Sequence, residues 1–183
     1  MATRSTMHPT ASAVSPKSPP RDELDEISFY LGRAYYNYVG LLERVLADMK
    51  IDAHLRPGMG HILFALYERD DRIIKDVVER TGLSASTLTG MLSTMERFGV
   101  IERHRDPDDG RAVRVRLTPL GRSLRPRCRN VLKRVSQVLH ADLTEDEIRN
   151  LKLSLSRILA AMRSDEQRWR TKRSLRATKG VTT

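Results

Sequence analysis

Hydrophobic residues recur at helical spacing along most of this chain. Intervals of three and four residues predict a long amphipathic helix over residues 21–50, whose apolar stripe is Leu24, Ile27, Leu31, Tyr35, Tyr38, Leu42, Val45, Leu46 and Met49. After a break at 55–58, in which Pro57 is placed to start a helix, a second helix is predicted over 59–69 with Ile62, Leu63 and Leu66 inward. A short third helix over 73–80 would bury Ile74, Val77 and Val78.

The next stretch predicts a helix with one apolar face and one small, polar face. Ser84 is a good N-cap, and Gly99 suits a left-handed residue that closes the helix. The apolar face consists of Leu88, Met91, Leu92, Met95 and Phe98, and the opposite face of Ala85, Ser86, Thr87, Thr89, Gly90 and Ser93. With the preceding helix and the turn at Gly82, this is typical of a helix-turn-helix, whose second helix lies in the DNA major groove. The alternative is a pair of ordinary core helices with a polar outer face.

A basic hairpin is predicted to follow. Val113, Val115 and Leu117 alternate with polar or small residues as in a half-buried strand, and residues 100–105 would form its partner. The tip, residues 106–110, reads Asp-Pro-Asp-Asp-Gly, a run of turn formers. The wing carries Arg103, Arg105, Arg111, Arg114 and Arg116. Arginines on a narrow ribbon suit phosphate contact and insertion into the minor groove, although a solvated strand face would look the same.

Residues 55–124 resemble the winged helix-turn-helix core of the MarR family of bacterial transcription regulators. The resemblance lies in residues 83–89, 96–103 and 106–118, followed by Pro119 and Gly121. In that family an aspartate of the wing commonly pairs with the arginine two residues later, which reaches the minor groove, and the matching positions are Asp109 and Arg111. This chain departs from the family at Gly90 and Gly110, where longer basic residues are common, so its sequence preference does not follow from the resemblance.

Two more helices are predicted after the wing. Thr118 and Pro119 form a cap and a first-turn proline, and the stripe that follows is Leu120, Leu124, Cys128, Val131, Leu132, Val135, Val138 and Leu139. Pro126 should kink or open this helix. Thr144 and Glu147 form a capping box for a last helix whose inward residues would be Ile148, Leu151, Leu155, Ile158, Leu159 and Met162. A basic tail would continue the helix briefly before it frays.

These elements predict a mainly α fold with a small β wing. The winged helix-turn-helix core, residues 55–118, would be flanked by an N-terminal dimerisation helix (21–54) and C-terminal dimerisation helices (119–165). Residues 1–20 read as a disordered tail and 166–183 as a basic tail. The terminal helices carry more apolar surface than a small core needs, so a symmetric homodimer is predicted, as the resemblance also implies.

Charge and cysteine usage narrow the class of protein. Lys and Arg number 33 against 23 Asp and Glu, and the resulting net charge of +10 favours polyanionic partners, here double-stranded DNA. Cys128 is the single cysteine, which excludes a disulfide framework within one chain. Because neither a signal-peptide pattern nor a membrane-length apolar run is present, we expect a cytoplasmic protein that does not bind membranes.

The resemblance also implies a small effector, often aromatic or anionic, bound between the DNA-binding lobe and the dimer helices. The candidate lining is Tyr30, Arg33, Tyr36, His54, Arg56 and His61. Dimer or core packing is the ordinary alternative for each tyrosine. Redox sensing through Cys128 is disfavoured because the thiol lies on an apolar stripe, and no metal or cofactor site is expected from the residue spacings.

The sequence therefore predicts a sequence-specific DNA-binding transcription regulator. It would be a ligand-responsive repressor that binds palindromic operator DNA as a homodimer. The proposed DNA contacts are Ser84, Ala85, Ser86, Thr87, Thr89, Gly90, Ser93, Arg103, Arg105, Asp109, Arg111, Arg114 and Arg116. The alternative is a winged-helix protein that binds DNA or RNA without sequence preference. An enzyme is not expected, because the chain has neither a Gly-rich phosphate loop nor a nucleophile elbow.

Overall fold

The computed structural model describes residues 26–179, with side chains described through Arg173. The elements in order are α1 (Glu26–Asp48), α2 (Met59–Glu68), β1 (Arg72–Ile73), α3 (Ile74–Thr81), α4 (Ala85–Arg97), β2 (Ile101–Arg105), β3 (Val113–Leu117), α5 (Pro119–Ser123), α6 (Arg125–Leu139) and α7 (Glu145–Lys179). The predicted mainly α fold with a small β wing is confirmed. The predicted tail over 1–20, Leu24 of the first stripe and the end of the basic tail lie outside the described residues.

The core forms where α2, α3, α4 and the sheet meet. Its fully buried side chains include Ile62, Leu63, Leu66, Val77, Leu88, Leu92, Met95, Val100, Ile101 and Val115. Complete burial of each large apolar side chain contributes about 2 kcal/mol, so this core is the main source of stability of the module. Met91 and Phe98 are half-buried against it. The apolar residues whose helical spacing predicted α2, α3 and α4 therefore face the core, as expected.

Local capping signals were confirmed at three helices. The side chains of Ser84 and Thr118 accept hydrogen bonds from the backbone N–H groups of Thr87 and Gly121. Thr144 and Glu147 exchange hydrogen bonds as a capping box, and the backbone N–H of Thr144 donates to Glu147 at 2.8 Å. Helix α2 begins at Met59 as predicted, but its N-cap is Gly58 (φ 89°), so Pro57 lies outside the helix and does not start it.

The sheet has a third strand that the sequence analysis missed. Arg72 and Ile73 pair with Val115 and Arg114, so the strand order is β1-β3-β2. Residue 73 was predicted to begin a helix, whereas α3 starts at Ile74. A two-residue strand is too short to show an alternating pattern, and it exists only because β3 lies beside it. It joins the wing directly to the helix-turn-helix.

The predicted break near Pro126 is confirmed, since α5 ends at Ser123 and α6 begins at Arg125. Here the C-terminal helices meet the core. A Cβ on Gly121 would collide with the backbone oxygen of Val100, so this close approach requires glycine. The hydroxyl of Tyr67 donates to the carbonyl of Gly121 at 2.9 Å. Cys128 is buried nearby, and burial raises the pKa of its thiol, as expected for an inert cysteine.

The terminal helices depart most from the prediction. The stripe of α7 was expected to face inward, but Leu151, Leu155, Leu159 and Met162 are exposed, and Ile148 and Ile158 are half-buried. In α1 the described stripe residues before Leu42 are all exposed, and only Val45 and Leu46 are buried. Leu132, Val138 and Leu139 of α6 are exposed as well. Among residues 26–173, whose side chains are described, no other surface covers these faces. The last helix continues into the predicted basic tail, and it extends as far as Lys179.

Candidate nucleic-acid interface

Helix α4 presents a small, uncharged face to solvent. Its buried side is held by Leu88, Leu92 and Met95. The opposite side exposes Ala85, Ser86, Thr87, Thr89, Gly90 and Ser93, all of which the sequence analysis had placed there. The hydroxyl of Ser84 lies 3.0 Å from that of Ser86 and 2.8 Å from that of Thr87. Such a face combines short side chains with hydroxyl groups that can donate or accept, which is suited to close approach to base edges.

The tip of the wing is organised by a buried carboxylate. Asp106 accepts hydrogen bonds from the backbone N–H groups of Asp108 (2.9 Å) and Asp109 (3.0 Å), and Nη1 of Arg114 lies 2.6 Å from its Oδ2. The bond from Arg114, followed by the two backbone bonds, lowers the pKa of Asp106. The sequence analysis recognised the turn but missed this role. The sequence did contain a signal for this role. An aspartate at the first position of a turn can accept a hydrogen bond from the backbone N–H two positions later.

Arg114 braces the wing, in the sense that its contacts hold the wing in position. Its side chain is only 19% exposed, and besides Asp106 it donates from Nη2 to the backbone oxygen of Asp71 at 2.5 Å. The carboxylate of Asp71 in turn lies 2.8 Å from Nε2 of His104. Burial opposes ionisation of Asp71, but the hydrogen bonds from His104 and Arg114 outweigh it and lower its pKa. The phosphate contact predicted for Arg114 would first require its guanidinium to leave Asp106 at the wing tip and Asp71, which precedes β1.

The other wing arginines divide into paired and unpaired groups. Arg103 forms an ion pair with Glu96 of α4, and this contact lowers the pKa of Glu96. Arg116 forms an ion pair with Glu102 at 2.6 Å. Arg105 and Arg111 are exposed, and neither forms an ion pair within the described part of the chain. These two are the cations that the wing offers without first breaking a contact.

The pairing that the resemblance implied for Asp109 and Arg111 takes a different form. Oδ1 of Asp109 accepts from the backbone N–H of Arg111 at 3.0 Å, and the guanidinium of Arg111 is not part of that contact. The aspartate thus shapes the turn that carries Arg111. The arginine side chain remains exposed at the tip.

The six predicted effector residues are not brought into an enclosed site in the single chain. Tyr30, Arg33 and Tyr36 are exposed on α1, and Arg56 and His61 are exposed as well, whereas His54 is half-buried. Arg56 already donates to the carbonyls of Asp52 and Leu55, and its Cζ lies 5.0 Å from the ring centre of Phe98. Their assignment stays a prediction.

Residues 26–179 contain neither a metal-ligand cluster nor a membrane-spanning helix. Within that range no group of three or more His, Cys, Asp and Glu side chains could hold a metal ion. None of the described helices is both long and apolar enough to cross a membrane.

Several known proteins share this architecture. A family model described as "MarR family" matches residues 55–113, the segment from the start of α2 to the wing. Over this segment, about a third of its length, the chain resembles the MarR family. Its fold is the winged-helix fold of the transcription regulators of that family. Its named relatives are transcriptional regulators.

Individual MarR-family proteins resemble the chain over most of their length. It is 26% identical over 146 residues to the HTH-type transcriptional repressor IacR of Pseudomonas putida, covering 78% of this chain and 85% of the relative. The structure of the PcaV transcriptional regulator from Streptomyces coelicolor, in complex with its natural ligand, matches with a TM-score of 0.60 and 27% identity, covering 85% of this chain and 98% of that one. A MarR variant from E. coli, complexed with operator DNA, matches in fold with a TM-score of 0.64 and 22% identity, covering 73% and 93%.

Proposed function

We propose that this protein is a MarR-family repressor that binds a palindromic operator as a homodimer. The observation that carries the proposal is the exposed, hydroxyl-rich face of α4, followed directly in the chain by a wing whose tip arginine, Arg111, is exposed and unpaired within the described residues. A two-fold dimer would present two copies of α4 to successive major grooves about one helical turn apart.

The side chains of this interface have different roles in the proposal. Exposed residues of α4, together with its N-cap Ser84, would contact base edges, and Arg111 would enter the minor groove, where negative potential attracts guanidinium groups. Arg105 would contact phosphate. Arg103 and Arg116 could do so only by exchanging Glu96 and Glu102 for phosphate, which weakens their net contribution. Asp109 would act by shaping the turn, and Arg114 by bracing the wing.

The apolar faces of the terminal helices support the homodimer. Exposed leucines on α7 and exposed aromatics on α1 form long stripes that the chain's own core does not use. Contiguous apolar surface of this kind usually marks a protein interface. A second copy offers the same stripes, and a two-fold arrangement would bury both sets at once.

An effector site is proposed beside these dimer helices. The PcaV structure contains its natural ligand, and our chain places Tyr30, Arg33 and Tyr36 on α1, where aromatic rings and a cation could hold a small aromatic or anionic molecule. His54, Arg56 and His61 would complete the site. Such a ligand would release DNA only by binding more tightly to a dimer whose two α4 helices are wrongly spaced.

The experiment starts from a palindromic duplex selected from a random library by the parent protein. Binding is followed by fluorescence anisotropy, and we expect the palindrome to be preferred over a scrambled duplex by at least about a thousandfold. Arg111→Ala should weaken binding to the palindrome by about tenfold through loss of the minor-groove contact. Arg116→Ala removes a wing arginine that is already paired with Glu102 and serves as the matched control, with a smaller loss.

Two results would contradict this proposal. Equal affinity for palindrome and scrambled duplex would favour a protein that binds nucleic acid without sequence preference, driven by the net charge of +10. Unchanged affinity of Arg111→Ala would remove the minor-groove contact from the mechanism.

A further inference from the structure

The last helix reaches back to the turn of the helix-turn-helix. A Cβ built on Gly82 would lie 2.6 Å from Nη2 of Arg163 and 3.0 Å from its Cζ. The guanidinium of Arg163 in α7 therefore lies against Gly82, which is the C-cap of α3 and stands two residues before Ser84, the N-cap of α4. A cation from the C-terminal helix is thus placed at the entrance to the recognition helix.

Arg163 has no carboxylate partner among the described side chains, in contrast to Arg168 and Arg170 on the same helix. Nη2 of Arg170 lies 2.6 Å from Glu166, and Nη2 of Arg168 lies 3.4 Å from Asp165, so both are paired one turn away on the same helix. Across the part of the chain with described side chains, Arg163 forms neither an ion pair nor a hydrogen bond. It is also exposed. Its charge is consequently available to a partner outside the chain.

The recognition helix lacks a cation of its own at this end. From Ala85 onward α4 carries no charged residue until Glu96, and its exposed face offers only small side chains and hydroxyl groups. The first helix of a helix-turn-helix crosses the DNA backbone and the second enters the groove with its N-terminal residues. The turn between them therefore lies beside the phosphates that border the groove. A guanidinium at Gly82 is within reach of those phosphates.

We propose that Arg163 is a DNA phosphate contact, supplied by α7 at the helix-turn-helix turn. This inference rests on the proposed function, since it adds a contact to the same interface. The planar guanidinium can bind two phosphate oxygens at once, which fixes the position of the turn on the duplex without reading sequence. Because α7 also carries the proposed dimer stripe, Arg163 would join the dimer helices to the DNA in a single element.

The test compares the salt dependence of DNA binding for Arg163→Gln and Arg163→Lys with that of the parent. Each neutralised phosphate contributes close to one unit to the slope of log affinity against log salt. We use two duplexes of about three helical turns each. One carries the selected palindrome and the other has a scrambled sequence. Arg163→Gln should lower the magnitude of the slope by about one on both duplexes, and Arg163→Lys should restore most of it.

Lys152→Gln is the matched control. Lys152 is exposed on the same face of α7, eleven residues before Arg163, and has no ion pair within the described side chains. Eleven residues span about 16 Å of helix, which exceeds the screening length of about 10 Å at moderate salt. Loss of this charge should leave the slope unchanged. Circular dichroism of each variant checks that α7 and the core are folded.

The outcomes separate this inference from the proposed function. A slope for Arg163→Gln equal to that of the parent would overturn the phosphate contact while leaving DNA binding intact. An equal reduction for Lys152→Gln would also overturn it, because the effect would then belong to net charge. Weakened binding by Arg163→Gln with an unchanged slope would show that Arg163 only braces the turn. A parent protein that fails to bind either duplex would overturn the proposed function itself.

Discussion

At the scale of single residues, Asp106 decides the shape of the wing tip. Its carboxylate is almost completely buried and accepts from Arg114 and from two backbone N–H groups of the turn. These bonds require the charged form, because a protonated carboxyl would lose acceptor strength toward all three donors. The position of Arg111 at the tip therefore depends on the ionisation of a residue that does not itself face the solvent.

Acid should loosen the wing through this residue. The pKa of Asp106 is lower in the folded protein than its ordinary value of 3.8, so its contribution to stability is complete above about pH 4 and is lost as the pH falls further, through the folded-state pKa. Asp106→Asn should lower the thermal midpoint by several degrees at pH 7 and flatten the decline in acid. Thermal unfolding between about pH 3 and 7 measures both effects.

Asp108→Asn is the control for this prediction. Asp108 belongs to the same turn, but its side chain is exposed and the turn uses only its backbone N–H. Its replacement should leave both the midpoint at pH 7 and the acid profile close to those of the parent. Identical profiles for the Asp106 and Asp108 variants would contradict the assigned role of Asp106.

At the scale of elements, the recognition helix is defined by its two ends and one buried side. Ser84 closes its first turn by accepting from the N–H of Thr87 at 3.1 Å. Gly99, with φ 69°, donates from its N–H to the backbone carbonyl of Glu96 and ends the helix in the left-handed conformation. The side chains of the exposed side do not pack against the core. They are therefore available for the proposed contacts with DNA.

Ser84→Ala should therefore cost about 1 kcal/mol of unfolding free energy, whereas Ser84→Gly should cost only a few tenths. The reason is that alanine leaves the first-turn N–H without an acceptor, while glycine lets water reach it. Urea unfolding in the absence of DNA measures both. Ser86→Ala, on the exposed side of the same turn, should stay within about 0.5 kcal/mol of the parent. A Ser84→Ala protein as stable as Ser86→Ala would show that the cap contributes nothing.

Much of each element could be predicted from its own residues. The caps at Ser84, Thr118 and Thr144, the hairpin and the break before Pro126 all depend on groups within four residues or on a short repeating pattern. Strand β1 could not be predicted in this way. Its two residues acquire their conformation from β3, which lies about 40 residues later in the chain.

At the scale of the whole molecule, the terminal helices expose apolar surface that a single chain does not bury. Leu151 is 49% exposed and Leu159 is 53% exposed, although both lie on the regular stripe of α7. Such a stripe would be a liability for solubility in a monomer. The proposed homodimer resolves this by covering the stripe with a second copy.

Leu155→Glu should weaken this dimer by at least about tenfold in its dissociation constant, because it would bury an unpaired charge in the interface. Sedimentation equilibrium measures the constant. Leu153→Glu is the matched control, since Leu153 is also exposed but lies about 200° away around the helix axis, on the polar side of α7. A parent that sediments as a monomer, or an equal effect of both substitutions, would contradict the proposed interface.

The sequence by itself determined the local structure and the chemical character of the interface. Helical periodicity, caps and turn residues act over a few positions, so the uncharged face of α4 and the arginine-bearing wing could be recognised before any packing was known. The motifs in these same segments were sufficient to indicate the family, which the match over residues 55–113 supports. Exposure of a polar face follows from burial of the opposite, apolar one.

Only the tertiary structure decided which charged groups are free. Arg114 is committed to Asp71 and Asp106, Arg103 to Glu96, and Arg163 meets Gly82 from a helix some 80 residues further along the chain. The sequence alone does not distinguish an arginine that stabilises the wing from one that is free to contact phosphate. Its role depends on the carboxylates that distant segments bring within about 4 Å, and that distance is set by packing of the whole core.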